Sequence, residues 1–504
     1  MGAEEKDLKY WRTIHSILAR ELGLKKDNFL TDAELSEFFS KEKIQFNSYF
    51  SNPNPEDYAF FTPIDIDELS DGEKILALKG RIEHVSCVST KKMSKDEIAQ
   101  MVRKYCADSL TELQDFRFKL STGIDFLADV IWRYNRLKER LGKIDFEDII
   151  FEWLENPTSL DADYLFVDEF QDLSPLLYQV IKAMEAQTKE QYYAGDDAQA
   201  IYTFMGASPL IFVKEIEEAK KGKAKLVELK ISHRLKKNHA ELANRIGKFT
   251  QSALPVEIIS KEEGGEILHI YNELDVIEYL RRLEHEDTVF LFRTNFEKKK
   301  IKEILIREGI AFFEYGFGKR VWTPSLVRLF NAIIKLRKGE RVANEELVEI
   351  IRRVPSKPFL IRGVKKQLET GKFAETLLGR RTSWSAKEIN DILFRKESPK
   401  KIEDFCKDVT LLRFKKGEEE SFKALKIKLD KNPKIINNEH LTLSTIHSFK
   451  GGEAKNIVLN FKLRRKKINF EEEVRVLYVA VTRTKDKIII IEDTIPSDLR
   501  QLLY

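Results

Sequence analysis

Short apolar runs, each cut off by polar residues or glycine, alternate along this chain with longer stretches whose apolar positions recur at helical spacing. Tyr164–Val167 is the clearest short run, and its four apolar or aromatic residues predict a strand buried on both faces of a parallel sheet. Residues 191–194 and 225–231 predict two more strands, and a second set is expected over 267–270, 288–292, 310–313, 441–445, 456–460 and 487–491. Ile14, Ile17, Leu18 and Leu22 have helical spacing, with Gly23 as a stop. Residues 25–143 read as mostly helical around a polar, proline-containing stretch at 52–65. A helix over 173–184 can start at Ser174-Pro175, since proline is tolerated in a first turn. Residues 323–438 are helical and heavily charged, with helices at 326–336 and 345–351. In 471–484, Val474, Leu477, Tyr478 and Val481 share one face. Strands alternating with helices predict an α/β fold with parallel sheets.

The chemistry gathers where strands end. Asp168 and Glu169 follow the strand at 164, and ligands of open α/β sheets bind outside the carboxyl ends of strands. One carboxylate there can hold Mg²⁺ and the next can activate a water, or both are ordinary solvated acids. Gly195 allows a tight exit from the next strand, and Gln199 beyond it can donate to a phosphate oxygen. Tyr202 and Phe204 either stack on bases or pack into the core. Arg234 stands at the end of the third strand. Lys450, Gly451 and Gly452 follow the strand at 441 and can bring amides to a phosphate or ribose. Arg483 falls near a helix end and can act as an arginine finger. The acids of Ile144-Asp-Phe-Glu-Asp-Ile-Ile150 read as a solvated face leading into a helix, and the basic run at 462–467 as a loop or a phosphate contact.

Composition narrows the setting. A chain of 504 residues has room for about three or four domains. Lys and Arg (87) nearly balance Asp and Glu (83), so the net charge of +4 makes any nucleic-acid surface a local one. Cys87, Cys106 and Cys406 lie far apart, which predicts a reducing cytoplasm and neither disulfides nor a cysteine-held metal. No apolar run reaches the roughly 18 residues of a membrane span.

Taken in order, these segments resemble the UvrD/Rep family of superfamily 1 DNA helicases. Val167-Asp-Glu-Phe-Gln-Asp172 is similar to motif II, and Gly195-Asp-Asp-Ala-Gln-Ala-Ile-Tyr-Thr-Phe-Met-Gly-Ala207 to motif III. Ser232-His-Arg234 stands where motif IV carries its arginine. Ser444-Thr-Ile-His-Ser-Phe-Lys-Gly-Gly-Glu453 resembles motif V, and Leu477-Tyr-Val-Ala-Val-Thr-Arg483 motif VI. Thr13-Ile-His-Ser16 resembles motif Ib, and residues 144–148 resemble a stretch that commonly precedes motif II.

The resemblance implies two RecA-like domains with ATP between them, each carrying a helical insertion. It places the start of the first domain with its insertion at 1–143, and the rest of that domain at 144–250. The second domain falls at 251–325 and 439–504, around an insertion at 326–438. It implies that Asp168 holds Mg²⁺, Glu169 activates water, Gln199 senses the γ-phosphate, and Arg234 and Arg483 stabilise its transition-state charge. Gly451 and Glu453 are implied at the nucleotide. Tyr202 and Phe204 are implied to stack on single-stranded DNA, with Thr13, His15 and His447 near its phosphates. Movement is implied to run 3′ to 5′.

One family element is missing. The phosphate loop, G-x-x-x-x-G-K-[ST], cradles the β- and γ-phosphates. Gly-Lys occurs at Gly142, Gly222, Gly247, Gly318 and Gly371, never with Ser or Thr next or Gly five positions before. Motif Ia is not found either, Met205 replaces a common arginine, and Gly452 a common leucine. The expectation is a chain with little or no ATPase activity by itself, needing a missing N-terminal segment or a companion polypeptide that supplies the loop. The alternative is a degenerate, non-catalytic DNA-binding or scaffold subunit, or a truncated gene product.

Overall fold

The computed structural model describes residues 12–47, 69–107, 123–280, 286–315, 322–369, 382–415, 418–431, 441–463 and 469–504. The side chains of Cys106 and Phe204, the polar stretch at 52–65 and most of 462–467 lie outside the described set.

The larger sheet forms because six short apolar segments alternate their side chains between two covered faces. Its strands are β5 (Glu266–Ile270), β6 (Thr288–Phe292), β7 (Phe313–Glu314), β10 (Leu441–Thr445), β11 (Ala454–Asn460) and β12 (Thr484–Ile491). All are parallel, in the order β5-β12-β11-β6-β10-β7. Phe290, Phe292, Leu443, Val458, Ile489 and Ile491 share one core with the helix Pro324–Arg337. Val289, Leu291, Ile457, Leu459, Ile488 and Ile490 lie in the opposite core, against the helices Lys237–Gly247 and Phe470–Val481. This two-residue alternation is what a strand covered on both faces requires. Three glutamates, Glu471, Glu472 and Glu473, occupy the first turn of Phe470–Val481, where the helix dipole favours negative charge.

The smaller sheet has two parallel strands, β1 (Tyr164–Val167) and β2 (Glu190–Tyr193), with Phe166 opposite Tyr192. One of its faces packs on a core that includes Val167, Phe170, Val180, Ile149 and Trp153. The expectation that β1 is buried on both faces fails. Tyr164 and Phe166 are 55% and 61% exposed, because no described element covers their side of the sheet. The strand expected over 225–231 is also reduced, to β3 (Ile231–Ser232) pairing with β4 (Ile259–Ser260). Residues 225–230 lie in no strand. The last pair, β8 (Val342–Ala343) and β9 (Ser383–Trp384), is antiparallel and sits among the helices of the second half.

The helices Asp32–Lys41, Asp71–Ser86, Lys95–Ala107 and Ile124–Leu141 supply a third core, containing Phe39, Ile75, Leu78, Ile98 and Ile131. A buried ionic cluster ties it to the helix Phe146–Glu155. Lys138 Nζ lies 2.5 Å from Asp145 Oδ2 and 2.7 Å from Asp148 Oδ2. Lys79 Nζ lies 2.7 Å from Glu83, 2.8 Å from Asp145 and 3.5 Å from Glu147. The acids at 145–148 are therefore not a solvated face; they answer two lysines buried at 1% exposure or less. Burial, with the neighbouring carboxylates, pushes the Glu147 carboxyl up to about 7.

Candidate functional site

β1 and β2 deliver their polar residues to one place. Phe170 N donates to Ala194 O, and Ala194 N to Val167 O, so the segments leaving the two strands stay paired. Asp168 and Glu169 are exposed, and Glu169 N donates to Asp168 Oδ1 at 2.9 Å. Glu169 has φ +52°, a left-handed conformation that disfavours a residue with a Cβ. Its side chain is pinned there by Gln171, whose Nε2 donates to Glu169 Oε2 at 2.6 Å. The Gln171 Oε1 accepts from Asp196 N at 2.9 Å, so one buried carboxamide couples the segments after β1 and β2.

Gly195 lies where that carboxamide passes. It has no positive φ; what it supplies is space. A Cβ there would stand 2.5 Å from Gln171 Oε1 and 3.2 Å from Phe170 N. Gly195→Ala is expected to displace Gln171 and break both of its hydrogen bonds, lowering stability by about 1–3 kcal/mol in urea unfolding. An unchanged midpoint would contradict this.

The larger sheet contributes from the opposite side. Asp196 Oδ2 accepts from Gln199 Nε2 at 2.7 Å, and Gln199 Oε1 accepts from Arg483 Nη2 at 2.8 Å. Arg483 is buried, with Nε on Val479 O at 2.9 Å. Burial and the nearby Arg234 guanidinium pull it down to about 10, which leaves it charged at neutral pH. Arg234 Nε donates to Glu453 Oε2 at 2.8 Å and its Nη1 to Thr482 O at 3.2 Å. Glu453 also pairs with Lys485; its hydrogen bonds to Lys485 and Arg234 hold its carboxyl below the usual range. Gly451, at φ +81°, makes the turn before it.

Lys450 is the contact that sequence reasoning assigned differently. Its ammonium reaches across to Asp172 Oδ2 at 2.5 Å and Glu169 Oε2 at 3.5 Å, and lies 4.9 Å from the Tyr202 ring centroid. Tyr202 completes the seam by donating from its hydroxyl to His447 O at 3.1 Å. The other Asp172 oxygen, Oδ1, is buried with no hydrogen-bond partner. Gln171 and Asp172 lie inside the motif II segment, but nothing in their spacing shows that one positions Glu169 and the other meets a lysine from the second sheet.

Burial pushes the Asp172 carboxyl up to about 6, against the opposing pull of Lys450. A carboxyl raised in the folded state adds stability below its unfolded value near 4, and that stability is lost as pH rises through about 6. The stability of the wild type minus that of Asp172→Asn is therefore expected to fall by up to about 3 kcal/mol between pH 4 and 7. Parallel pH profiles of the two proteins would contradict this.

The residues expected near DNA are placed less tightly. Thr13 caps the helix Ile14–Glu21, accepting from Ser16 N. His15 meets the Phe146 ring edge-on at 6.3 Å, and burial lowers its imidazole to about 4. His447 is 9% exposed and held well below its ordinary value by burial, then by Arg293 and Lys450, so it is neutral at pH 7. His447 joins Tyr202, whereas Thr13 and His15 sit on a separate helix. Among the described residues no three His, Cys, Asp or Glu side chains form a metal site, and no helix is long and apolar enough to cross a membrane.

Parallel α/β sheets with a polar site spanning both define the class of protein. A profile of the UvrD/REP helicase N-terminal domain matches residues 11–220, and one of the UvrD-like helicase C-terminal domain matches residues 440–491. The chain belongs to the UvrD/Rep helicase family. DNA helicase II of Haemophilus influenzae is 28% identical over 225 residues, which cover 40% of this chain and 30% of that protein. ATP-dependent DNA helicase PcrA of Staphylococcus epidermidis is 25% identical over 236 residues, covering 42% and 31%. ATP-dependent DNA helicase Rep of Buchnera aphidicola is 24% identical over 470 residues, covering 75% and 72%. The chain thus spans about a third of the length of the first two relatives and most of the third.

Proposed function

We propose that this chain is the body of an ATP-driven DNA helicase of UvrD type, moving 3′ to 5′ in a reducing cytoplasm with ATP hydrolysis stimulated by single-stranded DNA. The observation that carries this reading is the hydrogen-bonded line from Glu169 and Asp172 through Lys450, and from Gln199 through Arg483 and Thr482 to Arg234 and Glu453. Residues from both sheets meet there, so a ligand bound between them couples the position of one sheet to the other.

Each side chain has a chemical task in this reading. Glu169, fixed by Gln171, orients and deprotonates the attacking water. Gln199 donates to the γ-phosphate. Arg234 and Arg483 neutralise the charge that spreads over the transferred phosphoryl oxygens. Glu453 and Gly451 face the nucleoside. Asp168 fits Mg²⁺ because that ion takes one or two protein carboxylates and completes its shell with water and phosphate oxygens. When bound, the ion supplies charge neutralisation at the phosphates. Tyr202 and Phe204 serve as stacking surfaces for bases, with Thr13, His15 and His447 along the strand's phosphates. The amide cradle for the β- and γ-phosphates comes from a further polypeptide segment, since no G-x-x-x-x-G-K-[ST] occurs in these 504 residues. By itself the chain binds single-stranded DNA and hydrolyses ATP little or not at all.

The absent loop motif also favours a second reading, a non-catalytic DNA-binding subunit. Fluorescence anisotropy with a labelled oligo-dT tests what the two share. Binding is expected to weaken steeply with salt, because neutralised phosphates release counterions. Absence of binding at low salt by the folded chain would overturn both readings.

A further inference from the structure

The larger sheet has one long edge that pairs with no strand among the described residues. β5 (Glu266–Ile270) is hydrogen-bonded to β12 alone. The opposite edge, β7, is two residues long, and Lys302 Nζ lies 3.0 Å from its Glu314. β5 is five residues long and carries no lysine, proline or bulge, the usual means of keeping an exposed edge from pairing. Two contacts fix its backbone directions. Glu266 O accepts from His239 Nε2 at 3.1 Å, on the side away from β12, and Tyr271 O accepts from Asp493 N at 3.0 Å, on the side of β12. The two-residue alternation of a strand then turns the N–H and C=O groups of Leu268 and Ile270 outward.

The side chains where this edge ends are apolar and acidic. Tyr271, Leu274 and Tyr504 are 73%, 67% and 65% exposed. Tyr504 is held in place: its ring stacks on His269 at 4.9 Å, and its hydroxyl shares Glu492 Oε1 with His269 Nδ1. Leu274 stands in the first turn of the helix Glu273–Leu280, next to the exposed Asp275, whose carboxylate accepts from the neutral amide of Asn272 at 2.8 Å. Asp493 is exposed beside Tyr271. The Arg500 guanidinium is turned to the backbone, donating to Glu492 O and Ile495 O at 3.2 and 3.3 Å. Lys487 pairs with Glu266 at the far end of the strand. The carboxyl end of β5 therefore keeps an excess of negative charge around its exposed aromatic rings.

We propose that β5 is a docking edge for an extended segment of another protein, apolar in its middle and flanked by lysine or arginine. The segment adds as a strand to Leu268 and Ile270, covers Tyr271, Leu274 and Tyr504, and sets its cations against Asp275, Glu492 and Asp493. Main-chain pairing supplies the affinity of such strand addition, and the side chains around the edge supply the specificity. Charge selects the occupant. A second copy of this chain, paired antiparallel about a two-fold axis, would set this acidic end against the start of its own β5, where Lys237 and Lys487 are already paired with Glu263 and Glu266. Nucleic acid would bring phosphates to the same carboxylates. None of the residues of this edge belongs to the site between the two sheets, so the proposal does not rest on the helicase reading.

The test uses the full chain and a labelled synthetic peptide of about 12 residues, a Val/Thr strand with lysines at both ends. Fluorescence anisotropy measures its binding, hydrogen exchange is followed at the amides of Leu268 and Ile270, and sedimentation reports the oligomeric state. The lysine-flanked peptide is expected to slow exchange at both amides at least tenfold, and its glutamate-flanked version to bind at least tenfold more weakly. Asp275→Lys with Asp493→Lys is expected to reverse that preference. Tyr271→Lys with Leu274→Lys is expected to weaken binding of the lysine-flanked peptide at least tenfold; all four side chains are exposed, so both pairs leave the core intact. Exchange at Leu268 and Ile270 that the lysine-flanked peptide leaves unchanged, or equal binding of the two peptides, would overturn the proposal. So would a dimer that Tyr271→Lys dissociates, or protection of the same amides by oligo-dT, because a second copy or a nucleic acid would then occupy the edge.

Discussion

Replacing Lys138 by alanine is expected to remove about 3–5 kcal/mol of stability, the usual consequence of deleting one partner from a buried ionic group. Native domains hold only about 5–15 kcal/mol in total, so this takes a large share. Lys138 is fully buried and is the near partner of both Asp145 and Asp148. Its removal leaves Lys79 to face Glu83, Asp145, Glu147 and Asp148 alone. Burial opposes the charge on Lys79, but Asp145, Glu83 and Glu147 outweigh it and raise the ammonium well above its ordinary value. Glu83 is occupied a second time, by Thr90 N at 2.7 Å and Thr90 Oγ1 at 2.6 Å, so the cluster cannot rearrange freely. Adding Asp148→Asn to Lys138→Ala is expected to recover part of the loss, since one fewer carboxylate lacks its cation. Urea unfolding of the two single variants and the double variant measures this coupling. Strictly additive losses would contradict the account of the cluster.

Lys450→Ala is expected to open the seam between the sheets. The lysine side chain is 5% exposed and is the cation facing Asp172 and Glu169. Without it the half-buried Asp172 carboxylate has no countercharge, while its buried Oδ1 already lacks a partner. The closed arrangement is expected to lose about 3–5 kcal/mol. Small-angle scattering should report a larger radius of gyration for Lys450→Ala, and Asp172→Asn in the same chain should return it towards the wild-type value. An unchanged radius would show that Lys450 does not hold the sheets together.

Much of the larger sheet was legible because its strands are short, apolar and sharply bounded. Residues 288–292 and 441–445 are strands over the expected span, since both faces of each are covered. Periodicity did not show that β1 is open on one face. An apolar run looks the same whether its cover is present or supplied from outside, and only the exposure of Tyr164 and Phe166 separates the cases. The acids at 145–148 misled for a related reason: a charged run is solvated unless cations from distant helices converge on it, as Lys79 and Lys138 do here. Asp168, Glu169, Gln199, Arg234 and Arg483 were legible as polar groups placed next to strands and helix ends. Lys450 was expected to serve a phosphate or ribose; its ion pair with Asp172 depends on how the two sheets meet, which local sequence does not encode.

The most direct measurement is ATP hydrolysis stimulated by single-stranded DNA, made on the chain alone and on the chain with a phosphate-loop segment added, each beside Glu169→Gln. Little or no hydrolysis is expected from the chain alone. With the segment added, DNA-stimulated hydrolysis that Glu169→Gln abolishes is expected. Hydrolysis by the chain alone that disappears in Glu169→Gln would show that these residues hold the phosphates unaided. Equal hydrolysis by the wild type and Glu169→Gln after the segment is added would contradict the role given to Glu169 and, with it, the site.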